Sequence, residues 1–485
     1  MKYSVTEILT HTNGYLFYKS PRFDKNEQYT PCAVTSLVFQ SDNVIFVPIK
    51  ISINNALVDS FQNIEAVIKS GIRAFMFDEK HFNDKSSYEK LIEIINKYRN
   101  NIDFIIMVED TVQAIFALAS YTRTYKMSDK TKYLTVTGSI GKTTTTEMLY
   151  GILNKKFKIY RGEPGANIKL RVAHKFLEVE PDIDYFLFEC SGQGSGYLKY
   201  FSELIMPDGA IITKIANENL GEYLTLKNIA KEKSTMLSAM SENSIAVING
   251  DPLLRKATED YICDKIYIND GSYKLINSDK NGSEFVYKDE TYFIPVVGIH
   301  HIDNAVKVIE LALKLGIETK LIKDGLSEYK AVGNRWVVDK FKDNVEFITD
   351  CPNNPSYDTL ITNIHTFLDL YKDNPYKRII ITRIKALGDF EEQTYLKLAQ
   401  ELSSLPIQEL ICVGSEIISI KEYVEKHSSI KTVYFDKPME INEHDSFVKY
   451  LLNTLNFEQA VLLKGQRKDG LIGYGKVKDV LRKYL

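Results

Sequence analysis

Short hydrophobic runs alternate with amphipathic stretches along most of the chain, and the two patterns predict different elements. A run of four or five apolar residues between polar or turn-forming residues predicts a buried strand, whereas apolar residues spaced three and four apart predict a helix. From Tyr133 onward the two kinds of element alternate, which favours largely parallel sheets covered by helices on both faces. The strands predicted for this region are Tyr133–Thr137, Tyr185–Phe188, Ala210–Thr213, Ala246–Ile248, Val345–Thr349, Arg378–Thr382, Leu410–Val413 and Ala460–Leu463.

The first hundred residues mix short apolar runs with helical stretches and predict a smaller α/β domain. Its apolar runs include Asn43–Pro48 and Ala74–Phe77, and Tyr88–Tyr98 is a candidate helix. The second alternating series, which begins near Val345, predicts a separate Rossmann-like domain. The predicted fold class is therefore α/β with three domains: a small α/β N-terminal domain, a central domain with a mostly parallel sheet and a C-terminal Rossmann-like domain, at residues 1–105, 106–330 and 331–485.

The amino-acid composition of the chain argues against several functional classes. The chain has 485 residues, of which 44% are hydrophobic and 26% are charged, as in ordinary globular proteins. Lys and Arg total 61 and Asp and Glu total 64, which gives a net charge of −3 and no electrostatic basis for binding nucleic acid or an anionic membrane. No apolar run approaches the roughly 18–20 residues that span a bilayer, and the N-terminal segment lacks a signal pattern. The five cysteines form no C-x-x-C pair, so we predict a cytoplasmic protein.

The strongest chemical motif lies between a predicted strand and a predicted helix, at residues 137–144. Its sequence, Thr-Gly-Ser-Ile-Gly-Lys-Thr-Thr, is a short variant of the P-loop, because Val136 stands where the longer spacing has a glycine. Glycines let backbone N–H groups surround phosphate oxygens at the start of a helix, and a lysine neutralises the β and γ phosphates. The pattern predicts a nucleoside triphosphate site, and a glycine turn that only caps a helix is the structural alternative. The candidate nucleotide-binding residues are Gly138, Ser139, Gly141, Lys142, Thr143 and Thr144.

A P-loop enzyme also needs an acidic group near the metal ion that accompanies the triphosphate. The apolar strand that begins at Tyr185 ends in Glu189, and the glycine-containing segment 191–194 follows it. We predict that Glu189 and the Thr143 hydroxyl hold Mg²⁺. An exposed acid at the end of a strand is the structural alternative for Glu189.

Several further segments, together with the P-loop variant, resemble the Mur ligase family, which comprises the ATP-dependent amide ligases of peptidoglycan precursor synthesis and their relatives. Each segment is weakly specific, but all occur in the family's order. They are Thr213–Leu220 (similar to T-N-I-x-x-x-H-L), Ile229–Lys233 (I-A-x-x-K), Ile248–Asp251 (N-x-D), Gly298–Ala305 (G-x-H-N-x-x-N), Gly333–Arg335 (G-R), Asp350–Pro355 (D-Y-A-H-N-P) and Lys464–Arg467 (K-G-S-R).

The resemblance implies an ADP-forming reaction. A substrate carboxylate attacks the γ phosphate of ATP to give an acyl phosphate, and an amine then displaces phosphate to leave an amide. The cofactors that it implies are ATP and Mg²⁺, and the partners are a small-molecule acid and an amine. The catalytic residues that it implies are Lys142, Lys233 and Arg335, with Arg335 reaching the γ phosphate; the metal-binding residues are Thr143, Glu189, Asn219 and Lys233; and the adenine and ribose contacts are Asn249, Asn304 and Asp350.

Some of these assignments have ordinary structural alternatives. In the family, the lysine at the position of Lys233 carries a CO₂-derived carbamate, but a solvated lysine on a basic helix surface would have the same local sequence. The Asn304 side chain could cap its helix or form a hydrogen bond within it, and Asp350 could be a turn residue at the end of a strand. The neighbouring His300 and His301 are not expected to chelate a metal together, because adjacent helical residues point in different directions.

The chain also departs from the family pattern. Asn219 stands where the family has a metal-binding histidine, and Asn353 replaces another histidine. In the N-terminal domain, residues 34–37 and 55–61 occupy the places of the family's uridine-nucleotide elements but lack the arginine of D-S-R and the glycine-histidine pair. Loss of an arginine that contacts phosphate or uracil is not a conservative change. The uridine-binding chemistry is therefore expected to differ.

Three hypotheses follow. The chain could be a D-alanyl-D-alanine-adding muramoyl-peptide ligase with a changed N-terminal site, or a ligase of the same construction that uses a different acid, such as a specialised metabolite or another peptide. The sequence slightly favours the second of these. A nucleotide-binding scaffold that has lost catalysis is the third, supported by Asn219 and opposed by Lys142, Thr143, Glu189 and Lys233. The identity of both substrates and the oligomeric state stay open.

Overall fold

The structure, a computed structural model, describes most of the chain. The described residues are 1–32, 43–53, 56–162, 169–192, 194–217, 220–331, 336–351, 356–384, 387–436, 441–465 and 474–484. By compactness the chain divides into two units. The first comprises Met1–Leu134, Phe157–Cys190 and Tyr200–Pro207, and the second comprises Thr135–Lys156, Ser191–Lys199 and Asp208–Leu485.

The strands are numbered in chain order. They are β1 (Tyr3–Ser4), β2 (Tyr15–Lys19), β3 (Gln28–Cys32), β4 (Val44–Phe46), β5 (Lys50–Ile53), β6 (Ala56–Asp59), β7 (Ala74–Asp78), β8 (Phe104–Val108), β9 (Lys132–Thr137), β10 (Ile159–Arg161), β11 (Tyr185–Glu189), β12 (Gly209–Ile212), β13 (Ile245–Asn249), β14 (Asp264–Ile268), β15 (Lys274–Asp279), β16 (Gly282–Tyr287), β17 (Glu290–Ile294), β18 (Val337–Phe341), β19 (Val345–Asp350), β20 (Lys377–Ile381), β21 (Glu409–Val413), β22 (Lys431–Phe435) and β23 (Gln459–Lys464).

The α-helices are numbered in the same way. They are α1 (Val5–Thr12), α2 (Ile64–Lys69), α3 (Lys85–Tyr98), α4 (Thr111–Tyr121), α5 (Lys142–Leu153), α6 (Lys169–Glu178), α7 (Tyr197–Ile205), α8 (Leu220–Tyr223), α9 (Leu226–Ser234), α10 (Pro252–Thr258), α11 (Ile299–Lys314), α12 (Thr319–Ser327), α13 (Tyr357–Leu370), α14 (Glu391–Leu402), α15 (Ile418–His427), α16 (Ser446–Thr454) and α17 (Tyr474–Tyr484).

The first unit contains a six-stranded mixed sheet with the order β1-β3-β4-β7-β8-β2. Its central strands β3, β4, β7 and β8 pair in parallel, and β1 and β2 add antiparallel edges. Phe75 and Phe77 of β7 pack with Leu91 and Ile95 of α3 in one buried cluster. Strands β10 and β11 of the same unit pair in parallel.

The second unit begins with the end of β9 and contains the parallel strands β12, β13 and β14. Their apolar residues form a buried cluster with α9 and α10, in which Ile212, Ile248 and Ile229 are members. Strands β15, β16 and β17 form a separate antiparallel sheet.

A six-stranded sheet with the order β18-β19-β23-β20-β21-β22 completes the second unit. All of its strands are parallel except β18, which is an antiparallel edge. Neighbouring residues of β20 face opposite sides of the sheet: Ile379 and Ile381 pack against α13, α14 and α15, while Ile380 packs against α16 and α17. A strand buried on both faces reads as a continuous apolar run, which is why these strands were recognisable in the sequence.

The predicted fold class is confirmed: the molecule is mixed α/β with parallel sheets. The predicted strands are all present, and their observed bounds differ by one or two residues, as for Ala210–Thr213, which is observed as Gly209–Ile212. Among the helices in the described ranges, none has the length and hydropathy that crossing a membrane requires.

Helices α5 and α12 cross at two glycines in the second unit. A Cβ atom added at Gly325 would lie 2.5 Å from the Ile152 Cα atom, whereas one added at Gly151 would lie 3.4 Å from its nearest neighbour, the Gly325 carbonyl oxygen. Since α5 begins at the P-loop lysine, this crossing fixes the helix on which the loop depends.

We expect Gly325→Ala to destabilise the protein by about 1–3 kcal/mol, because the added methyl group meets backbone atoms that cannot move aside. Gly151→Ala is the matched control, since its methyl group fits and alanine is the better helix former by about 1 kcal/mol. Urea denaturation followed by circular dichroism measures both. An equal stability of Gly325→Ala and Gly151→Ala would contradict the close crossing.

Candidate functional site

The P-loop turns from the end of β9 into α5 in an arrangement that its glycines permit. Gly138 and Gly141 have φ angles of +135° and +91°, which favour glycine. The N–H groups of Ser139 and Ile140 donate to the Lys214 carbonyl oxygen at 2.9 and 3.1 Å, so the loop is held against the segment that follows β12. The Lys142 ammonium donates to the carbonyl oxygens of Gly138 and Ser139 at 2.7 and 2.9 Å. The lysine therefore bends back over its own loop.

Two side chains approach the P-loop so closely that only glycine fits. A Cβ atom at Gly138 would lie 2.0 Å from the Thr213 hydroxyl oxygen, and one at Gly141 would lie 2.5 Å from the Asn304 amide oxygen. The structure thus brings Asn304, which the family resemblance assigns to nucleotide binding, into contact with the loop that the P-loop motif assigns to phosphate.

The residues of the loop suit a phosphate chain. The Ser139 hydroxyl oxygen is buried and has no hydrogen-bond partner among the described residues, as a group that awaits a ligand would be. The first turn of α5 begins at Lys142, and the N–H groups of a first turn have no partner within their own helix. A lysine, an unsatisfied hydroxyl and a helix start together form a chemically consistent anion site. Thr143 is partly exposed and Thr144 is buried.

Asn249 lies at the end of β13 and is 4% exposed. Its amide nitrogen donates to Asp270 at 2.7 Å, and its amide oxygen accepts from the Asp251 N–H at 3.2 Å. Asp270 in turn pairs with Lys214, the residue whose carbonyl oxygen holds the P-loop. A continuous set of polar contacts therefore connects Asn249 to the phosphate loop.

Asp350 is buried at the end of β19, where Lys464 of the neighbouring strand β23 pairs with it. The Asn363 amide also donates to its carboxylate. Burial lowers the pKa of His300 to about 4, and Asp350 and Lys464 are among the charged groups that act on this ring. His300 is therefore neutral at physiological pH. Since His300 lies one turn before Asn304 on α11, Asp350 of the C-terminal sheet acts on the same helix end that carries Asn304.

Lys233 is fully buried, so the interpretation of this residue as a solvated surface lysine is wrong. Its ammonium lies 5.9 Å from the centre of the Tyr223 ring. The preceding Glu232 is also buried and accepts from the N–H groups of Gly196 and Leu198 at 2.7 and 2.9 Å. Helix α9 thereby holds the residues that directly follow the glycine-containing segment 191–194.

Glu189 belongs to the first unit, at the end of β11, and is 9% exposed. It is therefore not the exposed strand-end acid of the structural alternative, and its metal role stays a prediction. Among the described residues, no group of three or more His, Cys, Asp or Glu side chains is arranged so that it could hold a metal ion.

Two predicted site residues, Arg335 and Asn219, lie outside the described residues, as do Asn353 and Val34–Leu37. Other residues of the site were missed from sequence. Asp270 and Lys307 belong to no motif that we recognised, and their partners are distant in the chain. Lys214 and Glu232 stand inside recognised motifs, Lys214 where the family motif has asparagine and Glu232 at an unassigned position of I-A-x-x-K, but neither was assigned a role.

Comparison with known proteins shows which family and which enzymes the chain is similar to. Residues 136–312 match the family model of the Mur ligase middle domain. A UDP-N-acetylmuramoyl-tripeptide–D-alanyl-D-alanine ligase of Borreliella burgdorferi is 27% identical over 428 residues, which cover 84% of this chain and 86% of that protein. The ligase of the same name from Bacillus subtilis is 25% identical over 392 residues, covering 79% and 80%. Residues 136–312 therefore belong to the Mur ligase middle-domain family, and the chain over most of its length is similar to Mur ligases. The chain is an ATP-dependent, ADP-forming carbon–nitrogen ligase, and a scaffold without catalysis is not favoured.

Solved structures share the fold of this chain over almost its whole length. MurF from Acinetobacter baumannii superposes with a TM-score of 0.81 at 19% identity and covers 100% of this chain and 99% of its own. MurF ligase from Thermotoga maritima, in complex with ADP, gives a TM-score of 0.74 at 20% identity and covers 94% and 97%. The predicted α/β architecture is thus that of the MurF structures.

We expect Lys142→Ala to slow ADP formation by on the order of 10²–10³, because it removes a charge that lies on the phosphate loop. The measurement is ADP release, in a coupled assay, with an acid and amine pair that the unaltered protein turns over. Lys156→Ala is the control, since that lysine is exposed and pairs with Glu318 at the surface. A folded Lys142→Ala protein with the unaltered rate would contradict the assignment of the P-loop.

Proposed function

We propose that this ligase joins the carboxylate of a peptide-bearing, UDP-linked muramoyl acid to the amino group of a D-alanyl-D-alanine dipeptide. One observation supports the proposal. The ligases of Borreliella burgdorferi and Bacillus subtilis, which are named for this activity, each align with about four fifths of this chain and about four fifths of their own length. An alignment of that extent reaches beyond the ATP-binding domain, so it includes regions that a shared ATP site alone would not explain.

The chemistry that follows uses residues already described. Two anions, a carboxylate and the γ phosphate, have to meet, so positive charge is required where they do. Lys142 supplies it on the loop, and Ser139 and the start of α5 supply hydrogen-bond donors. The carboxylate becomes an acyl phosphate, ADP departs, and the amine attacks the activated carbonyl carbon and expels phosphate. In the proposed site Asn249, Asn304 and Asp350 contact the nucleoside, and Arg335 contacts the γ phosphate.

Mg²⁺ is part of the proposal. Thr143, Glu189 and Asn219 offer hydroxyl, carboxylate and amide oxygens, which are the hard donors that this ion prefers, and the ion would neutralise phosphate charge there.

Lys233 is proposed to carry a carbamate derived from CO₂. Its complete burial supports the proposal, since it removes the alternative of a solvated surface lysine. The contacts of Glu232 with Gly196 and Leu198 fix the helix turn that carries Lys233.

A different acid substrate is the second candidate, and one observation favours it. The chain lacks the arginine and the glycine-histidine pair that the family uses for the uridine nucleotide. These positions are in the N-terminal region, where the acid would bind. In this case the ATP chemistry would be the same and only the acid would change.

The deciding experiment supplies the protein with ATP, Mg²⁺, UDP-muramoyl tripeptide and D-alanyl-D-alanine. We expect phosphate release and a product mass equal to the sum of both substrates less one water. Each substrate is omitted in turn as a control, because amide formation needs both. Phosphate release with a panel of other acids, and none with the muramoyl tripeptide, would replace the first candidate by the second.

We expect Lys233→Ala to lose activity and to regain part of it when propionate or another short acid is added, because the acid can occupy the space of the carbamate. Lys231→Ala is the matched control, since Lys231 lies on the same helix but is exposed. The measurement is the rate of ADP release with and without the added acid. Full activity of Lys233→Ala without any addition would contradict the carbamate.

A further inference from the structure

We propose that Asp270 is a positioning residue that fixes the Asn249 amide in the one orientation that recognises adenine and rejects guanine. The inference rests on the proposed function in one respect, namely that Asn249 contacts the base of the nucleotide. It adds a residue outside every motif recognised in the sequence, and it explains how the base is selected.

The orientation of the Asn249 amide is determined by two partners whose roles cannot be exchanged. The carboxylate of Asp270 can only accept a hydrogen bond, so the atom that faces it at 2.7 Å is the amide nitrogen. The backbone N–H of Asp251 can only donate, so the atom that faces it at 3.2 Å is the amide oxygen. Because Asn249 is buried, a rotated amide would leave a carboxylate opposite an oxygen and an N–H opposite an NH₂ group.

Asp270 is kept ionised by its surroundings. Burial alone would raise its pKa, but the ammonium groups of Lys307 and Lys214, together with the Asn249 amide, hold the pKa below its usual value. Lys214 lies 2.9 Å from one carboxylate oxygen, and Lys307, which is almost fully buried, lies 3.5 Å from the other. The carboxylate therefore remains an acceptor at any physiological pH.

The contacts with Asp270 and Asp251 each use one position of the Asn249 amide. One N–H and one oxygen lone pair of that amide are then available to a base. A donor beside an acceptor complements adenine, which presents an amino group next to a ring nitrogen. Guanine presents the O6 and N7 acceptors on the corresponding edge, so the amide oxygen would face another acceptor. The preference for adenine over guanine therefore depends on the orientation of the Asn249 amide, and Asp270 fixes that orientation.

Lys214 connects this selection to the phosphate site. Its carbonyl oxygen accepts from the N–H groups of Ser139 and Ile140, while its ammonium pairs with Asp270. The family motif that Thr213–Leu220 resembles has asparagine at this position, so the lysine that pairs with Asp270 departs from that motif. The base-reading amide and the phosphate loop are thereby held at a fixed separation.

The test measures dissociation constants of ADP and GDP by calorimetry on the full-length protein, which needs no acid or amine. We expect the unaltered protein to prefer ADP by at least tenfold, and Asp270→Ala to reduce that preference by roughly tenfold, the lower part of the range for a two-bond base contact. Asn249→Ala should reduce it to the same extent. The double variant should be no worse than Asn249→Ala, because Asp270 acts through that amide.

Glu290→Gln is the matched control, since it removes the carboxylate of an exposed Lys323 pair in the same unit, and it should leave the preference unchanged. Asp270→Ala leaves Lys307 buried without this partner and could impair folding. The second variant is therefore Asp270→Ala with Lys307→Met, judged against Lys307→Met alone, and the same loss of preference is expected.

The outcomes separate this inference from the proposed function. Equal weakening of ADP and GDP binding by Asp270→Ala would overturn the inference, and so would additive effects of Asp270→Ala and Asn249→Ala. A folded, unaltered protein that binds ADP and GDP equally would also overturn it, without affecting the proposed ligase. A protein that binds no nucleotide would instead refute the proposed function.

Discussion

The close contact between the P-loop and the segment after β12 is the constraint on which the rest of the site depends. Two N–H groups of the loop are used by the Lys214 carbonyl oxygen, and the Thr213 hydroxyl occupies the place where a side chain at position 138 would lie. The loop is thus shaped by its neighbour as well as by its own glycines. The Lys142 ammonium and the start of α5 are then available for a phosphate chain, and the Asn304 amide lies against Gly141.

Parallel strands explain how residues far apart in sequence meet at this site. The carboxyl ends of parallel strands lie at one edge of a sheet, and in the C-terminal sheet this places Asp350 of β19 beside Lys464 of β23, 114 positions later. The opposite edge is stabilised differently: Arg378 and Glu409, at the starts of β20 and β21, form a buried ion pair that Lys431 and Tyr450 extend. The Asp350–Lys464 pair therefore lies at one end of the sheet and the Arg378–Glu409 pair at the other.

Within the second unit, polar contacts join the central and C-terminal sheets. Lys280, in the turn between β15 and β16, pairs with Glu346 of β19 at 2.8 Å, and Asp358 of α13 accepts from the Asn217 N–H at 3.3 Å. These contacts join the C-terminal sheet to the central part of the unit. Asp350 of β19 is also among the charged groups that act on His300 of α11.

The sequence by itself determined the fold class, the strands of the parallel sheets and the phosphate loop, because each of these has a local signature: a strand buried on both faces is a continuous apolar run, and a loop that surrounds phosphate needs glycines and a lysine at fixed spacing. It also identified Asp350 and Lys464 in separate motifs without pairing them. Tertiary structure alone decided the burial of Lys233, the role of Glu232, and the contacts of Asp270 with Asn249, Lys214 and Lys307. The physical reason is that burial and charge pairing depend on which elements pack together, and no spacing along the chain records that.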